Sequence, residues 1–428
     1  MWLVGTPAEL AQAMLATEPE RNRCVPSFEE ARESILSRVP RLGAESALVL
    51  DALGRVLAAD ILAPWDMPRW DNSAMDGFAV RAEDCAGSSA LKLVGYLPAG
   101  SHSDELLLPG TAVKILTGAP LPPGADSIVP VEQAEERDGT VLTRAPVRKG
   151  AHVRRKGEDI RAGDTALVAG TVVGPAEVSA LASFCRLSVP VIRKARVAIL
   201  STGDELVEPG QPLTPGRIYD SNSFALAAAV KQAGGEPVLL GIARDDRASL
   251  EAQLTEGLLA DALVTSAGVS MGDRDLVRNV LQALSVEQVF WKVDIKPGGP
   301  TAFGMHGRTP VFSLPGNPVS SLLTFEEFVR PALLKMMGHR RWLRPLLPAV
   351  LQQDVPKKAG RVVFLRVRLG ERSGQLLAWP SGNQETGILK TQLLADGIAV
   401  LPADQGDLRA GAPVQVQALR DASQTSEP

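Results

Sequence analysis

Cysteine and histidine are scarce in this chain, and each shortage closes off a class of function. The three cysteines, Cys24, Cys85 and Cys185, are far apart and odd in number. That pattern indicates neither a disulfide framework nor a zinc site, and leaves them as small buried hydrophobes. Four scattered histidines make no metal cluster. No long uninterrupted apolar segment and no basic-then-apolar leader occurs, so a soluble, intracellular (cytoplasmic) protein with no membrane partner is expected. The net charge of −4 gives no reason to expect nucleic acid as a partner. What is present is ordinary globular material: 45% hydrophobic and 22% charged residues over 428 positions. That length predicts about two to four domains.

The stretch that stands out is Asp261–Val277, DALVTSAGVSMGDRDLV. Ala262–Thr265 is a short apolar run of the kind that forms a buried strand. Ser266–Asp275 then brings glycines, serines and the pair Asp273 and Asp275 before a helical pattern opens at Leu276. Strand, polar glycine loop and helix is an arrangement that brings backbone close to a ligand, offers N–H groups to an anion and supplies carboxylates to a hard cation. Val197–Val207 repeats it, with Asp204 and Glu205 just past a strand. Pro310–Phe328 ends a strand in Pro315-Gly316-Asn317-Pro318, where Asn317 is a natural N-cap and Pro318 a natural first helical residue. Three such strand ends predict an open α/β sheet with a ligand at its carboxyl edge.

In chain order, Met1–Arg23 is a poorly specified extension. Phe28–Val39 has helical spacing with Ser27 and Glu30 as a capping box. Ala47–Ala59 is expected to be a second helix. Leu91–Val147 carries short strands with frequent turns, a β-rich subdomain in which Thr117 serves either a ligand or an ordinary turn. The run Arg154, Arg155, Lys156 before Glu158 and Asp159 is expected to be a solvated, self-paired surface. Pro175–Phe184, Asp220–Gln232 and Leu250–Leu259 are predicted helices, and Pro237–Ile242 a strand that Asp245 follows. Lys292 and Lys296 flank a β segment, where they are either solvated edge residues or ligands of an anion. A last β-rich module covers Val350–Leu419, and Asp421–Pro428 is a tail.

The motifs NSAMDGFAV, KILTGAPLPPGAD, VRRKGEDI, VAILSTGDELV, IARDD, AGVSMGDRD, FWKVDIKPG and SLPGNPVSS stand here in one order. In that order, and over roughly Pro26–Pro402, the chain resembles the molybdopterin molybdenumtransferases, the MoeA-type family that includes the gephyrin E domain. The resemblance implies a multidomain homodimer of α/β and β-rich parts. Residues 1–25 would be an extension, 26–60 and 150–190 a discontinuous linking and dimerisation domain, and 61–149 an inserted β-rich domain. Residues 191–339 would form the open α/β molybdopterin-binding domain, 340–420 a C-terminal β-barrel-like domain, and 421–428 the tail. It implies magnesium-dependent cleavage of adenylylated molybdopterin, with molybdate as co-substrate, AMP and molybdenum cofactor as products, and possible supply by an upstream molybdopterin adenylyltransferase.

By the same resemblance Glu205, Asp245 and Asp275 would hold the metal and act in catalysis. Asp159 matches the family acid, while Asp76 and Thr117 would reach the cleft of the other subunit. Lys292, Lys296 and Arg366 would bind the tetrahedral oxyanion, a dianion that needs cationic or N–H donors. Gly268, Ser270, Pro315, Gly316 and Asn317 would bind the pterin and its phosphate. Two motifs depart from the family: KPGGP has Gly299 where a lysine is common, and QETGILKT (Gln384–Thr391) brings Glu385, Thr386 and Lys390 where small hydroxyl and glycine residues are usual. Either Lys390 replaces the charge lost at Gly299, or both lie on solvated turns. The changes leave room for a tungstate-specific or adenylyltransferase paralogue, or for a gephyrin-like scaffold, although a pure scaffold needs neither the carboxylates nor the lysines.

Overall fold

The computed structural model describes residues 25–267 and 276–420. The two expected terminal segments, together with Cys24, Gly268, Ser270, Asp273 and Asp275, lie outside the described residues. The chain forms two compact units, one of Ser46–Val191 and one built from the flanking sequence up to Glu45 and from Ile192 onward.

The flanking unit holds a six-stranded sheet in the order Glu236–Ala243, Arg196–Thr202, Ala262–Ser266, Thr309–Leu314, Ala302–His306, Glu287–Phe290. The first four strands are parallel and the last two antiparallel to their neighbours. The central strand Ala262–Ser266 is buried on both faces, as its continuous apolar run requires. Leu263 packs with Leu250, Leu254, Val277 and Val280 on one face. Val264 packs with Phe28, Ile35, Leu226 and Phe328 on the other. Each such side chain contributes about 2 kcal/mol of burial, which makes this sheet the rigid platform of the unit.

Helix Phe28–Arg38 carries the expected capping box, with both Ser27–Glu30 hydrogen bonds formed. Beyond the sheet, Leu346–Leu351, Val362–Arg372, Gln375–Pro380, Gly397–Leu401 and Pro413–Ala418 close into a five-stranded barrel, because Val362–Arg372 pairs with both Gln375–Pro380 and Gly397–Leu401. The α/β part feeds one short strand, Ile295–Lys296, onto this barrel, placing Lys296 opposite Val363.

The unit Ser46–Val191 holds a second six-stranded sheet, in the order Ser127–Pro130, Gly77–Val80, Thr111–Ile115, Ser89–Leu97, Thr140–Thr143, Ala134–Arg137. It also holds helix Pro175–Ser183, whose Leu181 packs with Leu57, Phe184 and Val191. Two expectations fail here. The helix expected over Ala47–Ala59 is a strand, Ala44–Leu48, followed by turns. Gly54 N and Leu57 N donate to Val173 O and Thr171 O at 2.8 and 2.9 Å, so long-range partners replace a helical ladder. Cys85 is buried, but Cys185 is exposed in a left-handed turn at φ +56° just after the helix.

Candidate active site

In the parallel part of the sheet, chain order and spatial order diverge at strand Arg196–Thr202. The chain leaves it for Glu236–Ala243 on one side, then returns to Ala262–Ser266 on the other. This is a topological switch point, where open α/β sheets bind ligands beyond the carboxyl ends of their strands. The polar residues buried in the sheet gather at those ends: Ser201, Thr202, Thr265, Ser266 and Ser313.

Asp204, Glu205 and Asp245 follow two of these ends and are exposed. Asp245 N donates to Asp204 Oδ1 at 3.4 Å, which brings the two acidic turns together. Glu205 is anchored through its carbonyl, which accepts from Ile218 N at 2.9 Å, and its carboxylate lies over Gly203. A side chain at Gly203, where φ is +142°, would collide with that carboxylate. The neighbouring Asp246 is spent locally, its Oδ1 accepting from Ser249 N at 2.8 Å to cap helix Arg247–Gly257.

The other two strand ends are equally close. Ala267 N donates to Leu314 O at 3.1 Å, and Ala267 is held at φ +73°, a conformation that stores strain in a non-glycine residue and is common at functional sites. A Cβ at Gly316 would lie 3.2 Å from Ala267 Cβ, so glycine is what lets the two turns approach. Asn222 Nδ2 donates to Ser266 Oγ at 2.8 Å and to Gly316 O at 2.7 Å, joining both turns to the start of helix Asn222–Gln232. Asn222 was missed in the sequence, where only the polar Asp220-Ser-Asn-Ser start of its helix marks it. Asp220, also missed, is buried and accepts from Ser201 Oγ at 3.0 Å and Ser223 N at 3.1 Å.

Among the described residues the cationic side chains line different cavities. Lys296 lines a cavity of about 520 Å³ whose opposite wall is the barrel loop Asn383–Gly387, with Glu385 and Thr386 among its residues. Lys292 lines a different cavity with Trp291 and Arg278. Arg366 is buried, and its Nη2 donates to Asn383 O at 3.1 Å and Glu385 O at 3.2 Å. Its Nε and Nη1 meet no acceptor among the described residues. Burial pushes its pKa down from the usual guanidinium value. Lys390 is exposed on Leu389–Leu393 and lines neither the Lys296 nor the Lys292 cavity. Asn317 sits at the N-cap of Pro318–Thr324 but makes no capping bond.

In the unit Ser46–Val191, Asp76 and Thr117 meet directly, whereas Asp159 is exposed elsewhere, its N–H donating to Met67 O at 3.1 Å. Asp71 and Asp66, rather than the neighbouring acids alone, pair with Arg155 and Lys156 at 2.7 and 3.4 Å.

Acidic turns at a switch point and a Lys296-lined cleft beside a barrel, both in one unit, define a multidomain α/β protein with a polar strand-end site. Three family models match in order: the MoeA N-terminal region, domains I and II, over residues 26–185; the probable molybdopterin binding domain over 198–335; and the MoeA C-terminal region, domain IV, over 348–419. Molybdopterin molybdenumtransferase 2 of Mycobacterium tuberculosis is 40% identical over 376 residues, which span 85% of this chain and 92% of the relative. The molybdopterin molybdenumtransferase of Haemophilus influenzae is 36% identical over 398 residues, 91% and 98% of the two chains. The crystal structure of a molybdopterin biosynthesis MoeA protein from Pyrococcus horikoshii superposes with a TM-score of 0.81 at 35% identity, covering 93% of this chain and all of that one. The chain belongs to the molybdopterin molybdenumtransferase (MoeA) family, enzymes of molybdenum cofactor biosynthesis.

Proposed function

We propose that this protein inserts molybdenum into adenylylated molybdopterin, cleaving the phosphoanhydride with magnesium and releasing AMP and molybdenum cofactor. The observation that carries the reading is the separation of charge within one unit. Carboxylates stand at the strand ends, while Lys296 lines the barrel cleft and the buried Arg366 guanidinium is held by the carbonyls of that cleft's loop. A phosphoanhydride needs a hard cation, whereas molybdate, itself a dianion, needs positive and N–H donors.

Among the described residues no group of three or more His, Cys, Asp or Glu side chains forms a closed metal cage. Magnesium does not require one, since it takes one or two carboxylates and completes its shell with water and substrate phosphate. The exposed oxygens of Glu205 and Asp245 fit that role, with Asp275 as the third expected member. Bound there, the ion would draw charge from the phosphoanhydride oxygens. Pro315, Gly316 and Asn317, with Gly268 and Ser270, would hold the pterin and its phosphate; Lys296, Lys292 and Arg366 would serve the oxyanion. Asp76, Thr117 and Asp159 complete the catalytic set. The active form is a homodimer in which Asp76 and Thr117 serve the partner's site, and an upstream adenylyltransferase supplies the activated pterin. The domain boundaries given above are those of this proposal, as is a cytoplasmic setting. No helix among the described residues is long and apolar enough to cross a membrane.

The test is to incubate the purified protein with adenylylated molybdopterin, Mg²⁺ and either molybdate or tungstate, and to measure AMP and reconstituted cofactor. Molybdate-dependent release of both is expected; absence of AMP release with either oxyanion overturns the proposal.

A further inference from the structure

An asparagine at a helix N-cap ordinarily spends its side chain on the second or third helical N–H, a bond whose loss costs about 1 kcal/mol. Asn317 has the extended backbone of an N-cap, at φ −67° and ψ 124°, yet makes no such bond. Its Nδ2 donates instead to Thr386 Oγ1 at 3.0 Å, linking the α/β strand-end turn to the barrel loop. Both ends of this link are stiff. Behind Asn317, the Gly316 carbonyl is held by Asn222. Behind Thr386, Glu385 N donates to Asn383 Oδ1 at 3.0 Å, and the Gln384 amide brackets the Arg366 backbone, accepting from its N–H at 3.0 Å and donating to its carbonyl at 3.3 Å. The Asn383 and Glu385 carbonyls in turn hold the Arg366 guanidinium. A shift of Thr386 therefore carries with it both the Arg366 support and the wall facing Lys296.

We infer that Thr386 is a positioning residue for the oxyanion end of the site, and that the Asn317–Thr386 bond sets the width of the Lys296 cleft. This inference rests on reading that cleft and Arg366 as the molybdate pocket. It assigns a purpose to the hydroxyl that the motif keeps at position 386, which accepts a bond from the α/β domain. A residue that acts through another in this way couples to its partner, whereas two independent ligands of molybdate act additively.

Molybdate binding to the full-length protein, measured calorimetrically without pterin, tests this in wild type, Thr386→Val, Thr386→Ser, Asn317→Ala and the Thr386→Val/Asn317→Ala double variant. Thr386→Val is expected to weaken binding about fivefold, the size of one ordinary hydrogen bond. Thr386→Ser should stay near wild type, and the double variant should be no weaker than the weaker single one. Matched thermal unfolding is the control for fold, with Thr386→Ala as a second variant. Multiplicative losses, or wild-type binding by Thr386→Val, overturn the latch. If Lys296→Ala and Arg366→Ala also leave molybdate binding unchanged, the pocket reading itself falls; if they abolish it, only the latch does.

Discussion

Thr117 donates twice to one oxygen of Asp76, its backbone N–H and its hydroxyl each reaching Oδ1 at 2.7 Å. The Thr117 hydroxyl donor is therefore spent on a carboxylate. The backbone bond, then the hydroxyl bond, holds the Asp76 pKa below the usual aspartate value, so its charge survives to lower pH than that of a free carboxylate.

Thr117→Val removes the hydroxyl bond and keeps the N–H bond. Asp76 then protonates at higher pH, and the acid limb of the kcat/KM profile should move to higher pH. Superimposable profiles for wild type and Thr117→Val would show that the ionisation of Asp76 does not govern the rate.

Glu205→Gln keeps the shape of the strand-end turn and removes one negative charge facing the crevice. AMP release should fall about a hundredfold or more, the usual scale for a lost electrostatic contact to a reacting group. The Mg²⁺ concentration for half-maximal rate should rise with it, whereas Asp246→Ala, which removes the helix cap, should lower stability by about 1 kcal/mol and leave the Mg²⁺ dependence unchanged. An unchanged Mg²⁺ titration in Glu205→Gln removes this residue from the metal site.

Shared sites in a homodimer predict complementation. Asp76→Ala and Glu205→Ala subunits, each inactive alone, should recover activity when mixed, because each heterodimer assembles one intact site. Recovery of up to about a quarter of wild-type activity follows from random pairing of equal amounts. Labelled subunits confirm exchange; exchange without recovery contradicts composite sites.

What was legible in the sequence was local. The Ser27–Glu30 capping box closes within one helical turn, and the buried run Ala262–Thr265 needs no distant partner to be a strand. The acidic turns were equally readable, because Asp204, Glu205 and Asp245 follow directly on apolar strands. What escaped depends on residues far away in the chain. The Pro-Gly-Asn-Pro turn marks Asn317 as an N-cap, but its side-chain amide donates to Thr386. Ala47–Ala59 has helical spacing, but Thr171 and Val173 take its backbone donors. Lys292 and Lys296 are four residues apart, yet they line different cavities because Ile295–Lys296 pairs with the barrel.

Glu385 lines the same cavity as Lys296 and places a carboxylate where an oxyanion is expected. Like charges at this exposed rim repel weakly and are screened by salt. Glu385→Ser should therefore lower the KM for molybdate about two- to fivefold at low salt and less at high salt, without changing the KM for the pterin. No change at any salt concentration would show that the Glu385 charge plays no part in admitting molybdate.

Glu327 is buried in the π-helical turn Phe325–Val329, and burial pushes its pKa up from 4.5 to about 7. Gln417 of the barrel donates to Oε2 at 3.4 Å and opposes the shift, as do Arg32 and Arg344, while Glu326 adds to it. Glu326 is itself paired with Arg330 and Arg344, so little cationic charge is left for its neighbour. Below pH 4.5 the carboxyl is protonated whether the chain is folded or unfolded, and it leaves stability unchanged. As pH rises from 4.5 to 7 the unfolded chain releases the proton that the folded chain retains, so stability falls across that window and levels off above it. The accumulated loss is on the order of 3 kcal/mol. Glu327→Gln keeps a neutral group in place and should remove this slope, raising stability at pH 8 relative to wild type and leaving the two alike near pH 4.5. Urea unfolding of both proteins from pH 4.5 to pH 8 checks it: parallel curves across the window, or a variant less stable than wild type at pH 8, would mean that Glu327 is charged and paired in the fold.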